Sequence, residues 1–105
     1  MSNKDVINII KEKAREVLPE GSGLYLYGSR ARGNARTDSD WDLLLLLDKE
    51  NASDEDYAKY AYPIQVAGFD LWQYFSIQMY TRTQWKKMTF TPYYKNVEQD
   101  KIVLL

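Results

Sequence analysis

The stretch LYLYGSRARGNARTDSDWDLLLLLD, residues 24–48, decides the fold and raises the functional question. Aliphatic and aromatic residues run up to Gly28 and Ser29, a polar loop follows, and Asp40 and Asp42 then open a run of five leucines. The apolar runs predict two buried strands, Leu24 to Tyr27 and Asp40 to Leu47, because strands covered on both faces are hydrophobic throughout. A carboxylate at the mouth of such a strand is costly to desolvate unless something compensates its charge.

The residues on either side of this stretch predict helices that cover the strands. Ser2 caps a first helix, in which apolar residues recur at helical spacing up to Pro19. Ser53 caps another helix from about Asp54, and Pro63 ends or kinks it. The tyrosines of residues 57–62 face either the core or a partner.

The C-terminal part of the chain predicts one more long strand and two short helices. Residues 69–80 contain no Gly or Pro and are rich in aromatic residues, which favours a strand. One face of this strand carries Trp72, Tyr74, Ser76 and Gln78. Thr81 or Thr83 then starts a short helix, Pro92 starts a further helical turn, and KIVLL closes the chain as a strand or tail. This order of elements predicts an α/β (α+β) fold with helices packed on a small sheet.

Composition bounds the class of protein. A chain of 105 residues with 45% hydrophobic residues predicts a single globular domain, residues 1–105. Fourteen basic residues against fifteen acidic ones argue against a general nucleic-acid binder. The absence of cysteine and histidine excludes thiolate or imidazole metal sites and histidine catalysis. No segment has the roughly 20 apolar residues of a membrane span, and a cytoplasmic location is expected.

The two aspartates predict a magnesium site. Residues two apart on a strand share a face, with Cα atoms about 6.6 to 7 Å apart, so Asp40 and Asp42 converge on one site. Carboxylates at this spacing can hold two divalent ions, an arrangement that stabilises both the attacking and the leaving oxygen in phosphoryl displacement. Mg²⁺ prefers such oxygen ligands and retains waters and substrate phosphates.

Gly28 and Ser29 predict a phosphate site next to the aspartates. Glycine lets the backbone approach a ligand closely, and free N–H groups at the start of a helical turn favour an anion. Arg30, Arg32 and Arg36 are candidates to neutralise a triphosphate. Arg32 is the preferred one, because its spacing from Ser29 resembles one helical turn.

The segment YGSRARGNARTDSDWDLLLLLD resembles the signature of the minimal nucleotidyltransferases, the small bacterial and archaeal branch of the polymerase-beta-like superfamily. The family pattern is Gly-Ser, about ten residues, then Asp-x-Asp, and Gly28, Ser29, Asp40 and Asp42 match it. The resemblance implies a mixed sheet, Mg²⁺ and a nucleoside triphosphate, with ATP expected. It also implies transfer of a nucleoside monophosphate to an acceptor hydroxyl, with release of pyrophosphate.

The sequence departs from this family at its third carboxylate, which binds a metal and helps to deprotonate the attacking hydroxyl. Alignment from MYTRTQW places Ser76 at that position. A serine is a poor metal ligand and a poor base. Asp70 is the alternative on the same predicted strand, although six residues at about 3.3 Å each separate the two positions by roughly 20 Å.

Three functional hypotheses follow. Small proteins of this family pair with an all-helical HEPN-type protein in toxin–antitoxin modules. The leading hypothesis is therefore transfer of a nucleoside monophosphate, with AMP expected, to a hydroxyl of a partner protein or of a small molecule. The alternative is a nucleotide-binding interaction module, antitoxin-like, whose catalysis is weakened by Ser76. An aminoglycoside adenylyltransferase is disfavoured, because 105 residues leave no room for a helical acceptor domain.

Overall fold

A four-stranded mixed sheet forms the centre of the computed structural model, which describes all residues from Met1 to Leu105. The strands are β1 (Gly23–Tyr27), β2 (Trp41–Leu47), β3 (Phe75–Thr81) and β4 (Ile102–Val103), and their order in the sheet is β3-β2-β1-β4. β2 runs parallel to β3, and β1 runs antiparallel to both β2 and β4. The α/β class predicted from the sequence is confirmed.

Helices cover both faces of this sheet. They are α1 (Asn3–Val17), α2 (Ser29–Arg32), α3 (Asp54–Asp56), α4 (Tyr62–Phe69), α5 (Arg82–Lys86) and α6 (Pro92–Asp100), with a π-helical segment at Tyr57–Ala61 between α3 and α4. The side chains of Ser2, Ser53 and Thr81 cap their helices as the sequence predicts, each through a reciprocal pair of hydrogen bonds with the third helical residue. No helix is long and apolar enough to cross a membrane.

The two faces of the sheet carry different cores. The first face packs against α1 and α4 around a cluster of fourteen buried residues, which includes Leu43, Leu45 and Leu47 of β2. The second face packs against α5 and α6 around four buried residues, Leu44, Leu46, Trp85 and Val97. Alternate leucines of β2 therefore supply both cores, which explains why the strand is apolar throughout.

The predicted strand from Phe69 to Tyr80 is wrong at its start. α4 continues to Phe69, and the strand begins only at Phe75. Between them the Gln73 N–H bonds to the Gly68 carbonyl and the Trp72 N–H bonds to the Phe69 carbonyl, the paired bonds of a Schellman-type helix end. Trp72 takes the left-handed conformation there, with φ +57°, in a position that glycine usually fills.

Two further predictions about this region need correction. Pro63 does not end the helix, one of the two effects predicted for it; the helical backbone continues from the π-helical segment through Pro63 into α4. Asp70 does not lie on a strand at all, because it caps the C-terminal end of α4. There it borders an open groove between α1 and α4 of about 430 Å³, on the first-face side of the sheet.

Candidate functional site

The site lies where β1 ends and β2 and β3 begin. In the sheet register Asp42 is opposite Tyr27 of β1 and opposite Ser76 of β3. Side chains that are directly opposite in neighbouring strands point to the same face. Asp42 therefore lies on the second face, between the C-terminal end of β1 and the start of β3. Asp40 immediately precedes β2.

Gly28 is held against Asp42. Its backbone has φ +75° and ψ −158°, a conformation that is open essentially to glycine alone. A Cβ added to Gly28 would collide with the Oδ2 atom of Asp42. The glycine thus lets the end of β1 and the Asp42 carboxylate come into contact. The close approach of this backbone to a ligand stays a prediction.

Ser29 follows directly and begins α2, a helix of only four residues. So short a helix has little macrodipole, and any attraction for an anion there depends on individual N–H donors. The carbonyl of Gly28 already accepts the N–H groups of Ala31 and Arg32, at 3.1 Å each. The N–H groups of Ser29 and Arg30 come before these in the first turn, next to Asp42 across the contact with Gly28.

The charge of Asp42 is only partly compensated. Burial raises the pKa of its carboxyl above the ordinary value, the neighbouring Asp40 raises it further, and Arg32 opposes both effects. A bound cation would relieve the first two effects, and carboxylates are the oxygen ligands that Mg²⁺ accepts. The donor set at Asp40 and Asp42 therefore fits a magnesium ion.

The structure brings together two of the predicted carboxylates and no third. Nowhere in the molecule do three or more Asp, Glu, His or Cys side chains come together as a possible metal site. The residue opposite Asp42 in β3 is Ser76, and it is half-buried. Asp70, on the other side of the sheet, does not join this site.

The three arginines of the loop are used differently. Arg30 donates to the carbonyls of Thr37 (3.1 Å) and Ser39 (2.9 Å) and stacks on Trp41, so its guanidinium orders the loop that leads to Asp40. The side chain of Arg36 is exposed. Arg32 lies close enough to influence Asp42 and forms an ion pair with Asp100, the last residue of α6, at 2.6 Å.

Two tyrosines that the sequence does not single out form a wall of the site. The hydroxyls of Tyr27 and Tyr93 are 3.0 Å apart, and their rings meet edge to face. Burial raises the pKa of Tyr93 far above that of a free phenol, and it also raises the pKa of Tyr27, with a contribution from Asp42. Both groups stay neutral, so they offer hydrogen bonds to this site but no base.

A family profile described as polymerase beta, nucleotidyltransferase matches residues 4–87. The chain belongs to the polymerase-beta nucleotidyltransferase family. This membership supports a nucleotidyltransferase-type function, and the matched range includes all three strands and both carboxylates of the site. No curated protein matches the sequence.

Solved structures share the fold of this nucleotidyltransferase domain. A Sulfolobus solfataricus protein assigned to the nucleotidyltransferases has a TM-score of 0.64 at 20% identity, over 96% of this chain and 80% of that one. A toxin–antitoxin complex with AMP-PNP has a TM-score of 0.60 at 18% identity, over 94% of this chain and 72% of that one. A mutant of the toxin–antitoxin pair MntA-HpeT has a TM-score of 0.56 at 14% identity, over 100% and 73% of the two chains.

Proposed function

We propose that the protein transfers a nucleoside monophosphate, AMP in the first instance, from Mg²⁺-ATP to a hydroxyl of a partner protein. The observation that carries this proposal is the contact between Gly28 and the Asp42 carboxylate, which brings the candidate phosphate-binding backbone next to a candidate metal ligand. Family membership agrees with the reaction class.

Each residue of the site has a role in this proposal. Asp40 and Asp42 hold Mg²⁺, the backbone at Gly28 and Ser29 faces the β- and γ-phosphates, and Arg32 assists them. Bound Mg²⁺ supplies charge neutralisation for the transferred phosphate. Two carboxylates are enough for one ion, because Mg²⁺ keeps several waters and takes further oxygens from the substrate phosphates. A second ion is less well supported, since Ser76 faces Asp42 where the family has its third carboxylate.

The test is release of pyrophosphate from ATP in the presence of Mg²⁺ and the partner, compared between wild type and Asp42→Asn. We expect the variant to lose activity and metal-dependent nucleotide binding. It should fold at least as stably as wild type without ligand, because burial and Asp40 raise the pKa of Asp42, so its charge opposes folding. Stable folding separates loss of ligands from loss of structure.

The second candidate function is a nucleotide-binding interaction module, and Ser76 is the observation that favours it. General-base help is typically worth about 10²–10⁴-fold in rate, so its loss weakens transfer more than binding. If wild type binds Mg²⁺-ATP without any turnover, and Asp42→Asn still binds the partner, the module replaces the enzyme as the conclusion.

We infer that the partner is a small helical protein of the HEPN type, and that it contacts an exposed aromatic surface made of Phe69, Trp72 and Tyr74. The ring of Phe69 stacks on that of Tyr74, and Trp72 is 95% exposed. Large exposed aromatic side chains are enriched among the residues that dominate binding energy at interfaces. The Tyr74 carbonyl accepts the N–H of Trp41, so this surface adjoins the strand ends that carry the site.

Trp72→Gly tests this surface. Glycine suits the left-handed conformation at this position, so we expect the variant to be more stable by about 1 kcal/mol. It should nevertheless bind the helical product of the adjacent gene more weakly, as measured by calorimetry. Phe90→Ala is the matched control, because Phe90 is 79% exposed in the turn between α5 and α6. Unchanged partner binding by Trp72→Gly, or an adjacent gene that encodes no helical protein, contradicts the assignment.

A further inference from the structure

Asp100 occupies a position in α6 that ordinarily disfavours an acid. It is the last residue of the helix, where the unpaired carbonyls make the environment negative and basic residues are preferred. Its side chain is 15% exposed, so water solvates the carboxylate poorly. The Nη1 atom of Arg32 donates to its Oδ2 atom at 2.6 Å and compensates this charge. The pair joins the end of α6 to the end of α2.

This pairing leaves most of the Arg32 guanidinium available to a ligand. A guanidinium has five N–H donors, and the bond to Asp100 uses one of them. Arg32 is three residues after Ser29 in α2, which places both side chains on the same side of the helix. The side chain is 48% exposed. Its remaining donors are thus accessible to a ligand, in a side chain that also lies close enough to Asp42 to influence its charge.

When an anion binds, Arg32 is expected to keep its bond to Asp100 and not to exchange Asp100 for the anion. If Arg32 left Asp100 for a phosphate, a largely buried carboxylate would remain unpaired at the negative end of a helix, which is unfavourable. A guanidinium that keeps Asp100 and binds a phosphate with its other donors avoids that cost. A long arginine side chain that is already ordered also loses less conformational entropy on binding.

We propose that Asp100 is a positioning residue that holds the Arg32 guanidinium towards the phosphate side of the candidate site while a nucleoside triphosphate binds. The inference rests on the proposed function, since it concerns the triphosphate. Asp100 touches neither the nucleotide nor the metal and acts through Arg32 alone.

The experiment measures dissociation constants for AMP-PNP and for AMP, each with Mg²⁺, in wild type and Asp100→Asn. We expect Asp100→Asn to bind AMP-PNP about 2- to 12-fold more weakly, the range for losing the prior ordering of one side chain. Affinity for AMP should stay unchanged, because AMP lacks the β- and γ-phosphates. Asp100→Glu, which keeps the charge, should restore part of the affinity. A purely structural role of Asp100 would weaken both ligands alike.

Two control experiments test whether the effect of Asp100 on binding depends on its ion pair with Arg32. Glu98→Gln removes another α6 carboxylate, one that bonds to Lys101 and Trp85 and not to Arg32, and it should leave AMP-PNP binding unchanged. In an Arg32→Ala background, Asp100→Asn should have no further effect. In the ligand-free protein, NMR relaxation of the Arg32 Nε–H group should show restricted motion that Asp100→Asn releases, a readout that needs no nucleotide.

Three results overturn the inference while the proposed function stands: unchanged or tighter AMP-PNP binding by Asp100→Asn, an equal loss for AMP, or the same loss in the Arg32→Ala background. If Asp100→Asn does not fold, the same comparison is made with Asp100→Glu. If Asp100→Glu binds AMP-PNP as tightly as wild type while its Arg32 side chain is unrestrained, that result counts against the inference. A wild-type chain that binds no AMP-PNP overturns the proposed function and this inference with it.

Discussion

The first face of the sheet is closed by α1 and α4 over a cluster of fourteen buried residues, whereas the second face is covered by α5 and α6 over only four. Leu43, Leu45 and Leu47 of β2 belong to the first cluster, and Leu44 and Leu46 belong to the second. Continuing that alternation by one step from Leu44 reaches Asp42. The second face therefore changes along a single strand from core to candidate site.

The difference between the two faces shows how a small domain accommodates a partly buried charge such as the Asp42 carboxylate. The larger apolar core supplies folding free energy on one side of the sheet. The other side can then tolerate an imperfectly compensated Asp42, whose pKa is raised by burial and by Asp40. We expect substitutions on the first face to act mainly on stability and substitutions at the end of the second face to act mainly on ligand binding.

The largest expected effect comes from Ser76→Asp, which places a third acid opposite Asp42. If only the base is missing, transfer activity should rise by about 10²–10⁴-fold. Without Mg²⁺ the added like charge should lower stability by about 0.2–1 kcal/mol, and Mg²⁺ should reverse that loss. Pyrophosphate release and thermal melting with and without Mg²⁺ are the measurements. A melting temperature that does not respond to Mg²⁺ would show that this end of the second face is no metal site.

Leu45→Ala and Leu46→Ala compare the two cores within one strand. Leu45 is fully buried in the larger cluster, and its truncation should cost about 2–5 kcal/mol of unfolding free energy, as for other buried leucines. Leu46 lies among half-buried aromatic side chains that can relax into the cavity left by truncation. The loss of unfolding free energy in Leu46→Ala should therefore lie near the lower end of this range, about 2 kcal/mol. Urea denaturation measures both. Equal losses would contradict the asymmetry of the two cores.

Gly28→Ala tests the site with a control in the same loop. Gly28 and Gly33 both have positive φ, +75° and +79°, so alanine should destabilise both variants. The loss should be larger at Gly28, because its ψ of −158° is open essentially to glycine alone. A Cβ meets the Asp42 carboxylate at Gly28 and open space at Gly33. Only Gly28→Ala should weaken Mg²⁺-nucleotide binding, by about 10- to 100-fold, the range for substitution of residues that position a metal ligand. Equal binding by the two variants would separate Gly28 from the site.

The smallest expected effect is a pH dependence of stability that arises from Asp56 in α3. A hydrogen bond from Lys49, with a second from the Ser53 N–H, holds the pKa of Asp56 below its ordinary value. The ionised form therefore stabilises the fold above the unfolded-state pKa of about 3.9, and this contribution is lost as the pH falls through the lower folded-state pKa. Asp56→Asn should be less stable than wild type at pH 7. Denaturation curves should converge at acid pH, and a gap that persists there argues against this ion pair as the cause.

Much of the fold follows from local chemistry. Ser2, Ser53 and Thr81 each begin a helix with a hydrogen-bonding side chain, and such caps depend on only a few residues. The leucine run predicts a central strand because a strand buried on both faces needs apolar residues at every position, and this pattern is visible in one short segment. The structure places Ser76 opposite Asp42, and whether Ser76 replaces a catalytic group stays a prediction.

The errors arise where tertiary structure overrides local preference. Trp72 adopts the left-handed conformation that ends α4, and a bulky aromatic residue gives no hint of such a turn. The strand was therefore predicted too long, and Asp70 was placed on it. The Arg32–Asp100 pair joins residues 68 positions apart, a separation that no periodicity reveals.

The outer edge of the sheet has a consequence for how the protein avoids aggregation. β3 is an edge strand, yet the Tyr57 hydroxyl donates to the Ile77 carbonyl and the Gln65 amide donates to the Phe75 carbonyl, at 3.3 Å each. Side chains of the neighbouring helix thereby occupy backbone acceptors that would otherwise pair with a strand from another molecule. These two bonds therefore hinder fibril-like growth along β3, because an incoming strand would first have to displace them.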